Sequence, residues 1–247
     1  MNGSSLVQVQ GALPEGERAP LDLDIGTGLT VFLAIDEERL VRYLKMVAGV
    51  IPAARGKVTL QGATPEDAEY GGRELRRRVG YVTPRAPLLS VLDGVRNVML
   101  PALYHRLVTE EEVMPKVQAL LAQMGPDYDH HALPAFMPAL QQRMLLLARA
   151  LILEPELLFI EQPLLGLDDR SRDRLRDYIV TAVAPRATAL VVACNDPGLA
   201  RDAGQVVFIG ADRHWIFSGW RALLACAETE IHQFIEREKQ HCAAFQD

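Results

Sequence analysis

Two uninterrupted apolar runs, "PELLFIEQP" (155–163) and "ATALVVACND" (187–196), constrain the fold more than any other feature of this chain. A strand with one wet face alternates apolar and polar residues. These runs do not alternate, so each is read as a parallel strand covered on both faces. Between them "DRSRDRLRDYIVTAV" has helical spacing, which puts the end of the chain in the α/β class. The start reads differently. "LVQVQ", "LDLDI", "TVFLAI" and "GKVTLQG" are short, β-branched or alternating runs set apart by Gly and Pro, the pattern of antiparallel strands and hairpins. "EERLVRYLKMVAGV" interrupts them with helical spacing. Residues 84–145 read as a helical subdomain, in which "TEEEVMPKVQALLAQMG" has an N-capping threonine at Thr109, acids in its first turn and a closing glycine.

The bulk numbers exclude several classes. With 49% hydrophobic and 23% charged residues, the chain has enough apolar side chains for a substantial core. A formal net charge of -6 argues against a nucleic-acid binder, because no basic stripe is present to displace counterions from phosphates. No apolar run reaches the roughly 18 residues of a membrane-spanning helix, and the N-terminal sequence lacks the pattern of a signal peptide, so a cytosolic chain is expected. Cys194, Cys226 and Cys242 are odd in number and unclustered, which favours burial over a disulfide framework or a zinc site.

The order of segments carries a resemblance over nearly the whole chain. "LDLDIGTGLTVFLAI", "YLKMVAGVIPAARGKVTLQGATP", "LRRRVGYV", "NVMLPALYHR", "LLLARALILEPELLFIEQPLLGLDDRSRDRL" and "ALVVACNDPGLA" resemble a nucleotide-binding subunit of an ABC (ATP-binding cassette) transporter. The resemblance implies an ABC-type P-loop NTPase fold of the α/β class, with a mixed-sheet core, an antiparallel β subdomain and a helical subdomain. It divides the chain into a core with β subdomain (1–83 and 146–225), a helical subdomain (84–145) and a C-terminal helical tail (226–247).

The same frame locates the chemistry-bearing positions, and most depart from the family pattern. The phosphate loop, G-x-x-x-x-G-K-[ST], needs inward-turned backbone N–H groups, a lysine and a hydroxyl. It falls on Ala34, Ile35, Asp36, Glu37, Glu38, Arg39, Leu40, Val41 and Arg42, which include no glycine, lysine or hydroxyl. The signature loop, L-S-G-G-Q, falls on Met137, Pro138, Ala139, Leu140 and Gln141, where only Gln141 matches. Pro163 fixes the frame of D-E-P, so Glu161 stands for the magnesium-holding aspartate and Gln162 for the water-activating glutamate. An amide cannot accept the proton. The switch histidine falls on Asn195, and the glutamine that links magnesium to the helical subdomain falls on Pro84. Asp168, in "GLDD", keeps the residue of the loop that reaches across a cassette dimer.

Three other features each leave two readings open. "DHHALP", with His130 and His131 near Asp127 and Asp129, is a solvated loop or a metal site; "RELRRRVG" is a solvated helix or an anionic-lipid patch. In the tail, Ile231, Phe234 and Ile235 lie on one helix face that docks on its own chain or on a second subunit. The tail and "NVMLPALYH" are similar to ATPases of Mce-type (mammalian cell entry) lipid transport systems. Three functions follow: a catalytically inactive subunit partnering a membrane permease or a competent cassette, a weak or unusual ATPase, and a stand-alone interaction protein. Under the first, no cofactor or metal is expected and the chain sits at the inner face of the membrane through its partners; ATP and magnesium belong to the second.

Overall fold

The computed structural model describes residues 5–65, 78–104 and 108–239. Residues 73–77 of the basic run, His105 of the Mce-like segment, the Arg106 that follows it, and the tail from residue 240, Cys242 included, lie outside them.

The N-terminal alternation produces β1 (Val7–Leu13) and β2 (Leu21–Ile25), which pair antiparallel; β1 also pairs antiparallel with β4 (Arg55–Leu60). This three-stranded sheet has the order β2-β1-β4. The expectation fails for "TVFLAI". Its strand, β3 (Gly28–Leu33), is not part of a hairpin: it runs parallel to both β7 (Ala189–Ala193) and β8 (Gln205–Ile209). Five consecutive buried residues explain the difference, since a strand covered on both faces suits the interior of a parallel sheet. The larger sheet has the order β5-β6-β7-β3-β8-β9, with β5 (Val79–Val82) and β6 (Leu157–Glu161) parallel to their neighbours and β9 (His214–Phe217) antiparallel at the edge. The two apolar runs of the sequence are β6 and β7, buried at every position.

Each face of the six-stranded sheet builds its own core. Phe32, Leu157, Phe159, Val191 and Val207 meet helix α1 (Glu37–Val47) and the antiparallel sheet. The alternate residues Val31, Leu158, Ile160, Leu190 and Phe208 meet the helices of the opposite layer. α1 therefore lies between two sheets and buries Leu40, Tyr43, Leu44, Met46 and Val47. It ends where Gly49 takes a φ of +68°, a conformation open to glycine at little cost.

On the other face stand α2 (Gly94–Tyr104), α3 (Glu110–Ala122) and α4 (Ala139–Leu151). Thr109 caps α3 as expected, in a reciprocal box with Glu112. The fully buried Asn97 of α2 donates to the carbonyls of Leu89, Leu92 and Asp93 and accepts from the Leu89 amide, fixing the chain that enters the helical layer. After β6 come α5 (Asp169–Tyr178), extended by one wider turn over Ile179–Val183, then α6 (Pro197–Asp202), α7 (Trp220–Leu224) and α8 (Thr229–Lys239). The apolar face of α8 docks on its own chain. Ile231, Phe234 and Ile235 are buried, and the Phe234 ring meets Phe208 edge-on at 5.4 Å. These three side chains are therefore not available to a second subunit. Among the described residues no helix is long and apolar enough to cross a membrane.

Candidate functional site

Ala34–Arg42, Glu161, Gln162 and Asn195 come together where β3, β6 and β7 end and α1 begins. Residues 34–36 carry the chain from β3 into α1, which begins at Glu37. Asp36 is the N-cap of α1, and its carboxylate accepts from the amides of Glu38 at 2.9 Å and Arg39 at 3.1 Å. A side-chain oxygen here satisfies donors that a helix start otherwise leaves free, and its charge suits the helix dipole. Leu40, on the next turn, has 0% exposure and packs in the core between the two sheets. Glu37 accepts from the Gln162 side-chain amide Nε2 at 3.1 Å, and among the described residues Glu38 makes no side-chain hydrogen bond or ion pair.

Three further contacts close the segment from behind. Asn195 grips the backbone of Ala34 on both sides: its Oδ1 accepts from Ala34 N at 3.0 Å and its Nδ2 donates to Ala34 O at 2.7 Å. The Ile35 carbonyl accepts from Arg237 Nη1 of α8 at 3.1 Å. Arg39 and Arg42 share the carboxylate of Glu17, at 3.0 and 2.6 Å, which covers one flank of α1. Burial pulls the Arg39 guanidinium down, and the hydrogen bond and charge of Glu17, with Asp36, outweigh it and hold its pKa above the ordinary value.

The acid at the tip of β6 is similarly engaged. Glu161 is 8% exposed, accepts from the Tyr81 hydroxyl at 2.6 Å and lies 3.7 Å from Lys45 Nζ on α1. Burial first, and the Glu161 hydrogen bond second, push the Tyr81 phenol far above its ordinary range, so it remains a donor. Gln162 adopts a φ of 39°, uncommon for a residue with a Cβ, with its amide bonded to Ala193 O at 2.8 Å. Beside Asn195, Asp196 is 1% exposed, caps α6 through the Leu199 amide and makes a two-pronged pair with Arg176 at 2.8 and 2.9 Å.

The other sequence-nominated residues lie elsewhere. Among the described residues, no hydrogen bond or ion pair joins 137–141 to 34–42. Gln141 is 2% exposed and donates to Asp129 O at 2.8 Å, so the one residue matching the signature pattern holds a loop of its own helical layer. Met137 and Leu140 are buried, Ala139 opens α4, and Pro138 caps that helix with no side-chain hydrogen bond. Asp168 caps α5 through the Ser171 amide and hydroxyl, which hold its carboxyl below the usual carboxylate range. The Pro84 carbonyl accepts from Arg143. Burial holds the His130 imidazole below its ordinary value, and His131 Nδ1 lies 3.8 Å from Asp93. No group of three metal-ligating side chains occurs among the described residues.

Lys45, Glu17, Tyr81 and Arg237 belong to this network and were not singled out by motif. Lys45 had one signal, a lone cation within the apolar stretch "YLKMVAGV".

No family model matches the chain. It is 30% identical over 199 residues to an uncharacterised ABC transporter ATP-binding protein, YbbA, of Escherichia coli K12, covering 80% of this chain and 82% of that protein. It is 25% identical over 202 residues to the lipoprotein-releasing system ATP-binding protein LolD of Chromohalobacter salexigens, covering 80% and 79%. Among solved structures it superposes on cbiO1 from Clostridium perfringens, part of the ABC transporter complex cbiONQ, with a TM-score of 0.76 at 16% identity over 94% of this chain and 95% of that one. The dimeric post-hydrolysis state of the ATP-binding cassette MJ0796 bound to ADP and Pi gives a TM-score of 0.69 at 18% identity, over 87% and 100%. The structures share its fold, and the identity and coverage with YbbA carry the assignment: the chain belongs to the ABC transporter ATP-binding protein family.

Proposed function

We propose that this chain is a catalytically degenerate ABC subunit, a structural or regulatory component of a bacterial membrane transport complex. The observation that carries the reading is Asp36. Its carboxylate takes the Glu38 and Arg39 amides, the kind of N–H groups that bind phosphate at a helix start. The remaining residues do not fit Mg-ATP either. Leu40 offers no ammonium and is buried, Glu161 is held by Tyr81 and Lys45, and Gln162 cannot take a proton from water. A triphosphate would also meet Asp36, Glu37 and Glu38, each opposing it by on the order of 1 kcal/mol even after screening.

LolD and cbiO1 are components of transport systems by name. By analogy we assign this chain a membrane permease and a second cassette as partners, at the cytoplasmic face of the membrane. The proposed cargo class is lipid. It is supported by the Mce-like segments of the sequence and by the similarity to a lipoprotein-releasing ATPase.

Phosphate release by the purified chain tests the catalytic part. With Mg-ATP, turnover should not exceed a magnesium-free blank, and Gln162→Glu alone should not create it. Turnover that survives Gln162→Ala and is lost in Glu161→Ala would make Glu161 an acting base and overturn the reading. Activity in the Gln162→Glu variant would show that residues 34–42 do hold a triphosphate.

A further inference from the structure

Arg143, on the second turn of α4, carries a half-buried guanidinium whose pKa burial holds below the ordinary value. No carboxylate of the described residues forms an ion pair with it. Its donors go instead to two backbone carbonyls from separate parts of the chain: Nη1 to Pro84 O, and Nη2 to Leu165 O at 3.3 Å. Pro84 lies two residues past β5, where the chain leaves the sheet for the helical layer. Leu165 lies in the turn between β6 and α5. A planar guanidinium with five fixed donors can span two such acceptors, whereas an ammonium is a single point of charge. Further along the same helix, Arg149 is also half-buried with its pKa lowered by burial, and it donates to Pro87 O at 3.0 Å, in the same exit segment. α4 thus holds the exit from the sheet at two points, and at one of them it holds the β6–α5 turn as well.

We propose that Arg143 is a positioning residue that fixes the helical layer against the sheet by direct contact, so that their relative placement does not depend on nucleotide. The inference rests on the degenerate reading above. Proline at position 84 has no side-chain donor or acceptor, so its own link to α4 runs through its carbonyl. Arg143 takes that carbonyl. The β6–α5 turn follows Gln162, whose side chain reaches Glu37, so the closed α1 segment, the turn and the helical layer form one connected set. Leaving a half-buried guanidinium without these acceptors is costly, which favours the arrangement that keeps both.

Hydrogen exchange with mass spectrometry on the full chain tests this with wild type, Arg143→Met and Arg143→Lys, each with and without Mg-ATP. In Arg143→Met, the amides of Ala86, Leu165 and Leu167 should exchange about tenfold faster while those within α4 and β6 keep their protection. Arg143→Lys, able to reach one carbonyl at a time, should be intermediate. Unchanged exchange at both the 84–87 and 163–168 segments in Arg143→Met would overturn the proposal. So would faster exchange throughout α4 with a lowered melting midpoint, the sign of a role in helix stability alone. Added Mg-ATP should change nothing in wild type. Protection induced by nucleotide at 84–87 would remove the degenerate reading, whereas the comparison without nucleotide judges the Arg143 contact independently.

Discussion

Replacing Leu40 by lysine, the residue of the ABC phosphate-loop pattern in the frame given above, should destabilise the protein by roughly 4 kcal/mol or more. The reason is placement. Leu40 has 0% exposure and faces the core between the two sheets, so a lysine on this backbone must either lose its proton or bring water into an apolar layer. Burial lowers a lysine pKa by up to about 3–5 units, and each unit corresponds to about 1.4 kcal/mol. The sign with pH follows. Between the lowered folded pKa and the ordinary value near 10, the unfolded chain binds more protons, so stability rises with pH and the penalty shrinks toward alkaline conditions. Leu40→Met, which conserves volume, should cost less than about 1.5 kcal/mol at any pH. Urea midpoints at several pH values distinguish these. A Leu40→Lys protein as stable as wild type would show that the helix start opens toward solvent.

The second large effect is expected at Asp196. Its carboxylate is 1% exposed, pairs with Arg176 through both oxygens and caps α6. The hydrogen bonding that Asp196 accepts from Arg176 is the chief reason the Arg176 guanidinium is raised above its ordinary pKa. Asp196→Ala leaves that guanidinium with Asp173 alone, at 2.8 Å, and the Leu199 amide without its acceptor, so a loss of about 3 kcal/mol is expected, the low end for a broken buried pair. Asp196→Asn keeps the cap and loses the charge, and should fall between. Because Asn195 is the adjacent residue, Asp196→Ala should also loosen its two-sided hold on Ala34 and speed exchange of the Ala34 amide. Denaturant unfolding measures the first part and exchange the second; a loss below about 1 kcal/mol would assign the fixing of this corner to other contacts.

How much of this was legible depended on whether the signal was local. β6 and β7 were readable because a run without alternation has one simple explanation, burial on both faces. β3 has the same texture from Leu29 onward, but it sits among hairpin-like runs; its partners, β7 and β8, lie more than 150 residues along the chain, and parallel registry leaves no local mark. The α8 stripe of Ile231, Phe234 and Ile235 announced that a face was covered. What covers it, Phe208 among others, could come only from the fold. At the site, the nominated positions from Ala34 to Arg42, with Glu161, Gln162 and Asn195, do converge. Their present occupations were hidden because they join residues far apart: Gln162 to Glu37 across 125 positions and Arg237 to Ile35 across 202. Two acids of the segment are engaged within the protein, Asp36 on its own helix and Glu37 on an amide. Of the two readings open for the tail, docking of its apolar face on its own chain is the one the fold realises.

The central claim is that the chain's own groups occupy the helix start where nucleotide would bind. Isothermal titration of the purified chain with Mg-ATP tests it most directly. The account predicts no saturable heat up to millimolar nucleotide, and the same result with magnesium omitted. Micromolar, magnesium-dependent binding would contradict it, because the amides of Glu38 and Arg39 would then have to leave Asp36 for a phosphate.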